Sequence, residues 1–239
     1  MNTTNQHKPD PKVIHSMFSK VALNYDRGNN ILSLGIHHLW RNQLVKKSGA
    51  KPGQHILDCA TGTGDLAIAF KKVVGSTGIV IGTDFNQEML ASAPSKAAQQ
   101  NLDIKFELAD VTQLQYPDNQ FDICSISFGI RNVGDPIKAL KEMARVCKPG
   151  GQVIVLEFGQ MNIPVVSSLY GFYSEKILPK LGGIVTGQHE AYDYLQKSSS
   201  AFPCRKEFLK LMKETNSFSE MQYAPVSLGI AYMYFGTVK

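Results

Sequence analysis

Cysteine is scarce in this sequence. Cys59, Cys124, Cys147 and Cys204 are the whole complement, and no two stand in C-x-x-C spacing. Neither a disulfide framework nor a structural zinc site is suggested, no metal is expected, and a reducing cytoplasm fits best. Long apolar runs are lacking too: none approaches the roughly 18 residues that a membrane-spanning helix needs. The opening segment, Met1 to Lys12, is polar and holds Pro9 and Pro11. It has neither the apolar centre of a signal peptide nor the Arg- and Ser-rich character of a transit peptide. Charge of one sign is not concentrated: the formal net charge is +5, but the basic residues are scattered, with only short pairs such as Lys46-Lys47 and Lys71-Lys72. That dispersion reads as a solvated surface, and no nucleic-acid partner is expected. Internal repeats and low-complexity tracts are absent.

What is present is an alternation. The 239 residues suffice for one well-packed α/β domain. Residues 1–50 read as a tail and helices that cover a site, and 51–239 as the main unit, with a helical insertion at about 163–200. Within the main unit, Gln54 to Cys59, Gly78 to Thr83, Ile104 to Leu108, Phe121 to Ser127 and Gln152 to Phe158 are short apolar or β-branched runs, each expected as a strand. Helical periods fill the gaps at Asp65 to Lys72, Gln87 to Gln100 and Pro136 to Val146. Pro94 should kink or delay the second of these. Asp135 and Pro136 supply an N-cap and first-turn proline for the third, which Lys148-Pro149-Gly150-Gly151 should end. Strands alternating with helices imply right-handed crossovers and a parallel sheet. A helix at Arg205 to Thr215 and an antiparallel pair, Phe218 to Tyr223 and Ile230 to Val238, close the chain.

Chemistry concentrates where strands end. After the first strand comes Asp58-Cys59-Ala60-Thr61-Gly62-Thr63-Gly64-Asp65. Gly62 and Gly64 let a ligand approach the backbone, but the third glycine of a dinucleotide-binding G-x-G-x-x-G is missing. The flanking carboxylates Asp58 and Asp65 would repel a pyrophosphate. They suit a ligand that carries an ammonium and a sulfonium, namely S-adenosylmethionine. Asp84 ends the second strand, where a carboxylate can accept both ribose hydroxyls or cap the next helix. Asp110, just after the third strand, can take an adenine amino group or cap a turn, with the Val111 backbone beside the ring edge. Carboxyl-end positions such as these line one crevice in open α/β sheets.

Beyond these, several stretches resemble the ubiquinone/menaquinone biosynthesis C-methyltransferase family. They are Phe18-Ser19-Lys20-Val21-Ala22, Tyr25-Asp26, Leu32 to Arg41 and Ser127-Phe128-Gly129-Ile130-Arg131-Asn132-Val133. Lys148-Pro149-Gly150-Gly151, Leu156-Glu157-Phe158, Ala191-Tyr192-Asp193-Tyr194-Leu195 and Phe202-Pro203 extend the likeness over residues 13–239. Three places depart from it: Thr61 stands for a glycine, Gly28-Asn29-Asn30 for Met-Asn-Asp, and Gln196 for a proline. The resemblance implies a Rossmann-like class I methyltransferase fold, a mostly parallel seven-stranded sheet with a C-terminal antiparallel strand and a helical flap. It implies methyl transfer from S-adenosylmethionine to a ring carbon of a polyprenylated quinol, and leaves a homodimer open. By its motifs Thr63, Asp84, Asp110, Val111 and Ser127 fall at cofactor positions, and Tyr25, Arg131 and Asn132 lie toward the substrate ring.

Such a transfer needs a nucleophilic ring carbon, which a quinol gains as the neighbouring phenol loses its proton. Arg131, always cationic, can stabilise the developing phenolate, or it can sit in a buried ion pair with a loop carboxylate. Asn132 and Tyr25 can hold ring oxygens, or Tyr25 can pack the N-terminal helix over the cofactor. His37 and His38 read as structural, and His189 as a candidate proton acceptor. The apolar and aromatic segment Ile163 to Val185, with Lys176 and Lys180, can dock transiently on a membrane surface, line a channel for the prenyl tail, or fill the core.

Overall fold

The apolar run after Lys51-Pro52-Gly53 folds as β1, His55–Cys59, the centre of the sheet. The computed structural model describes residues 10–33, 35–160 and 189–239, apart from the side chains of Leu32, His189, Glu190 and Tyr192. The flap expected at Ile163 to Val185 lies outside the described residues. Around β1 stand β2 (Ile79–Asp84), β3 (Lys105–Leu108), β4 (Phe121–Ser127), β5 (Cys147–Phe158), β6 (Phe218–Val226) and β7 (Ala231–Val238). They form one seven-stranded sheet in the order β3-β2-β1-β4-β5-β7-β6. The first five are mutually parallel, and β7 runs antiparallel to both β5 and β6. The parallel sheet and the antiparallel closing pair are thus as the sequence pattern and the resemblance led one to expect.

Two cores follow from the period-two alternation of strand side chains. Leu57, Cys124, Ile126, Val153 and Val155 point to one face, where they meet Leu140 and Met143 of α7 (Pro136–Val146) and Phe208 and Met212 of α9 (Lys206–Glu214). Ile56, Val80, Ile123, Ile154 and Leu156 point to the other. There they meet Leu66 and Phe70 of α4 (Asp65–Val74) and Trp40 and Leu44 of α3 (Ile36–Lys47). All four cysteines are buried and free, so they serve as small apolar side chains. Among the described residues no helix is long and apolar enough to cross a membrane.

The N-terminal helices α1 (Pro11–Val21), α2 (Tyr25–Leu32) and α3 precede the sheet. Asp135 caps α7 by accepting from the Lys138 N–H at 3.0 Å, with Pro136 in the first turn. Beyond shifts at element ends, such as β6 running on through Pro225 to Val226, two boundaries differ from the sequence pattern. Pro94 divides the helix expected at 87–100 into α5 (Gln87–Leu90) and α6 (Ala93–Ala98), because proline fits a first turn and not an interior. Lys148-Pro149-Gly150-Gly151 does follow the end of α7, but it lies inside β5. Phe121 pairs with Cys147 and Ile123 with Gln152, so the four residues bulge opposite Asp122. Among the described residues the remaining α-helix, α8 (His189–Ala201), leads into α9.

Candidate active site

Strand order reverses between β1 and β4, and at such a switch point the carboxyl ends open a crevice. Three strand-end loops meet there. After β1 the chain turns through Ala60, Gly62 and Gly64 with φ of +48°, +57° and +85°. The turn is tied to β2: the Thr61 N–H donates to the Thr83 carbonyl and the Gly62 N–H to Asp84 Oδ2, both at 2.9 Å. It is close to the loop after β4, since a Cβ on Gly129 would stand 2.6 Å from that of Ala60. Phe128, at φ +57°, shares the left-handed backbone of Ala60. Non-glycine residues so strained gather at functional sites.

Asp84 does not cap the following helix. Asn86 does, accepting from the Met89 N–H at 2.9 Å. The two Asp84 oxygens instead accept from the Gly62 and Asn86 N–H groups, which leaves accepting capacity on each. Burial raises the Asp84 pKa, and these backbone donors oppose the rise. Ser127 Oγ, at the end of β4, is buried without a partner among the described residues. Asp110 is exposed and does cap its turn: Oδ1 accepts from the Thr112 N–H at 2.8 Å. Val111 beside it is buried.

The two acids that flank the glycine loop are engaged otherwise than expected. Asp58 is buried and accepts from Ser125 Oγ at 2.7 Å and Thr61 Oγ1 at 2.6 Å, so it fixes the loop to β4. Asp65 pairs with Arg41 at 3.0 Å and with Lys96. Although burial pushes the other way, Arg41 and Lys96 hold its carboxyl below the ordinary range. Neither is a bare negative charge waiting for an ammonium or sulfonium, so the electrostatic reading of this pair needs correction. Asp58 also titrates unusually: burial raises it to about 6, against a usual 3.8, despite the two hydroxyl donors. Because the folded pKa is the higher one, the contribution of Asp58 to stability is greatest below 3.8 and falls as pH rises to about 6. An infrared band of a protonated carboxyl is expected to be stronger at pH 5 in the unaltered chain than in Asp58→Asn, and that difference is expected to vanish by about pH 8.

Of the residues that the resemblance puts toward a substrate ring, Arg131 and Asn132 lie in a short 3-10 turn, Ile130–Asn132, after β4. Arg131 Nη1 donates to Glu157 Oε1 at 2.6 Å and to the Phe128 carbonyl at 2.7 Å. The Arg131 and Glu157 side chains are 5% and 1% exposed. Arg131 is therefore in a buried ion pair, with a carboxylate of strand β5 and not of a loop. Its Nε is buried without a partner among the described residues, and its guanidinium lies 5.3 Å from the Phe158 ring centroid. Asn132 Oδ1 accepts from Tyr194 of α8 at 3.0 Å. Burial raises the Tyr194 pKa, as does Glu157, while Arg131 opposes them. Tyr25 opens α2, half-buried, its ring packed edge-on to Phe18. Among the described residues no hydrogen bond joins it to Arg131 or Asn132.

Sequence reading passed over Glu157 and Tyr194 as roles, although both stand inside quoted motifs. The available signal was Glu157 itself: a lone charge in the apolar run of a central strand must have a buried partner. His37, His38 and Asp65 offer ligand atoms within 4.8 Å of one another, but the Asp65 carboxylate is already neutralised by Arg41 and Lys96. Burial, Arg41 and His38 lower the His37 pKa to about 4, consistent with a neutral structural ring.

Comparison with known proteins places this geometry. The chain is 71% identical over 233 residues to a ubiquinone/menaquinone biosynthesis C-methyltransferase, UbiE, of Bdellovibrio bacteriovorus, covering 98% of this chain and 99% of that one. It is 39% identical over 230 residues to a demethylmenaquinone methyltransferase of Staphylococcus aureus, covering 96% and 95%. Among solved structures it is similar to a SAM-dependent methyltransferase from Thermotoga maritima, with a TM-score of 0.66, 20% identity, and 95% and 100% of the two chains covered. Another, from Aquifex aeolicus, has a TM-score of 0.60 at 17% identity, with 97% and 100% covered, and these likenesses carry the fold alone. With residues 2–238 matching the family's own model, the chain belongs to the ubiE/COQ5 methyltransferase family.

Proposed function

We propose that this protein transfers a methyl group from S-adenosylmethionine to a ring carbon of a polyprenylated quinol. The acceptors are demethylmenaquinol, 2-methoxy-6-polyprenylbenzoquinol, or both. The observation that carries this is the likeness to the Bdellovibrio enzyme, which runs through almost the whole chain and includes the strand ends that build the crevice. The residues present fit the cofactor. Asp84 has accepting capacity beyond its two backbone donors, Ser127 Oγ is buried without a partner among the described residues, and Gly62 and Gly64 put no side chain at two positions of the loop. When bound, the cofactor supplies an electrophilic methyl on a sulfonium. Asp84 holds the ribose, Asp110 and Val111 the adenine, and Thr63 and Ser127 complete the cradle.

On the acceptor side, Asn132 has its amide oxygen engaged by Tyr194, so its N–H₂ is the group offered to a ring oxygen. Arg131 favours the phenolate through a cation already balanced by Glu157. That makes it a weaker electrostatic stabiliser than a bare guanidinium and a better fixed one. The prenyl tail belongs to the bilayer, so a transient visit to a membrane surface is part of this reading. The test is transfer of label from methyl-labelled S-adenosylmethionine, in detergent, to reduced demethylmenaquinone or to reduced 2-methoxy-6-polyprenylbenzoquinol. Label is expected in at least one ring. Label in neither, with cofactor bound, points to another small phenolic or lipid acceptor.

A further inference from the structure

Between α2, the glycine loop and α6 lies a charge cluster of which only Thr63 has a role in the reading above. Asp26 Oδ1 accepts from Thr63 Oγ1 at 2.6 Å, and Asp26 Oδ2 accepts from Lys96 Nζ at 2.6 Å. Lys96 Nζ also donates to Thr63 Oγ1 at 3.3 Å and pairs with Asp65, which in turn holds Arg41. A hydroxyl and an ammonium, side by side at the glycine loop, thus grip the two oxygens of one carboxylate. That is a receptor for a carboxylate, and it is occupied by one of the chain's own.

Resting on the proposed cofactor, we infer that Thr63 and Lys96 receive the carboxylate of its amino-acid tail, and that Asp26 fills their place until it arrives. Two features support an exchange. The first is charge: Asp26 and Asp65 balance Arg41 and Lys96, so when Asp26 leaves, the cluster is one positive charge in excess and accommodates one carboxylate. The second is solvation. The Asp65 and Arg41 side chains are 12% and 10% exposed and form the fixed base, whereas Asp26 and Lys96 are 38% and 27% exposed. A half-solvated pair separates at small cost, while Asp65 keeps Lys96 Nζ in place. Lys96 becomes a cofactor-binding residue, and Asp26 a competitor built into the N-terminal segment.

Calorimetric titration of the full chain with S-adenosylhomocysteine, and with its decarboxylated analogue, tests this. In Asp26→Asn the affinity for S-adenosylhomocysteine is expected to rise by roughly five- to tenfold, because a competing state is removed. In Lys96→Met it is expected to fall by roughly tenfold or more, the range for a lost bond to a charged group. The decarboxylated analogue, with no group for the receptor, should change by less than about twofold in Asp26→Asn. Thermal melting of each variant separates a binding defect from a folding one. Unchanged or weaker S-adenosylhomocysteine binding in Asp26→Asn overturns the inference, the weaker case assigning Asp26 to the ammonium instead. Failure of the unaltered chain to bind S-adenosylhomocysteine would overturn the cofactor reading along with it.

Discussion

Asp84→Ala should lose cofactor binding by roughly two to four powers of ten. The figure follows from the chemistry of the position. A carboxylate facing a vicinal diol accepts two hydrogen bonds, and bonds to a charged group contribute about 1.5–3 kcal/mol each. Their loss amounts to about 3–6 kcal/mol, or roughly 10²–10⁴ in the dissociation constant. The alanine also releases the Gly62 N–H, now held at 2.9 Å, so part of the effect comes through the loop. Two measurements separate the contributions. Methylthioadenosine, which keeps the ribose and lacks the amino-acid tail, should lose as much affinity as S-adenosylhomocysteine. Asp84→Asn, which can still accept from Gly62, should recover part of the affinity. Binding of S-adenosylhomocysteine within about threefold of the unaltered protein would remove Asp84 from the ribose site.

Local patterns were legible in the sequence where one element decides the outcome by itself. The Asp135-Pro136 cap, the apolar strand runs and the alternation that makes a parallel sheet all act within a few residues, and all are found. Pro94 was legible as an interruption, and the structure resolves it into two short helices. The bulge at Lys148–Gly151 was not, because a turn signal does not say whether the next strand has already begun. The positions of the candidate site residues divide in the same way. The glycine loop and Asp84 lie at strand ends and could be read from position. The state of Asp65 could not, since its partners Arg41 and Lys96 come from α3 and α6 and meet it only in the folded chain. Asp58 reads in sequence as a loop-flanking carboxylate that suits a cationic ligand, and is instead buried and closed off by Thr61 and Ser125. Charges next to one another in sequence say little about the field a ligand meets; charges brought together by the fold decide it.

The second large effect is expected at Glu157→Ala. It leaves the Arg131 guanidinium buried without its carboxylate, beside the Phe128 carbonyl and the Phe158 ring. Removing one member of a buried pair costs about 3–5 kcal/mol, since the other charge stays desolvated and uncompensated. For a chain of this length that corresponds to a fall in melting temperature of about 6–20 °C. The double variant Glu157→Met, Arg131→Met should recover most of the loss, because two well-packed apolar side chains replace a desolvated pair at little net cost. That recovery opens the catalytic question. The double variant folds without the cation, and its affinity for S-adenosylhomocysteine should stay within about twofold, because neither side chain belongs to the cofactor cradle. If Arg131 favours the phenolate, methyl transfer in this variant falls by about two orders of magnitude while cofactor binding holds, the size of effect seen when one preorganised charge is removed. If transfer persists, Arg131 and Glu157 serve only to fix the turn that carries Asn132, and phenolate stabilisation passes to Asn132 and its Tyr194 partner. Tyr194→Phe then becomes the decisive variant: it frees the Asn132 amide to rotate, so KM for the quinol should rise while the affinity for cofactor does not change.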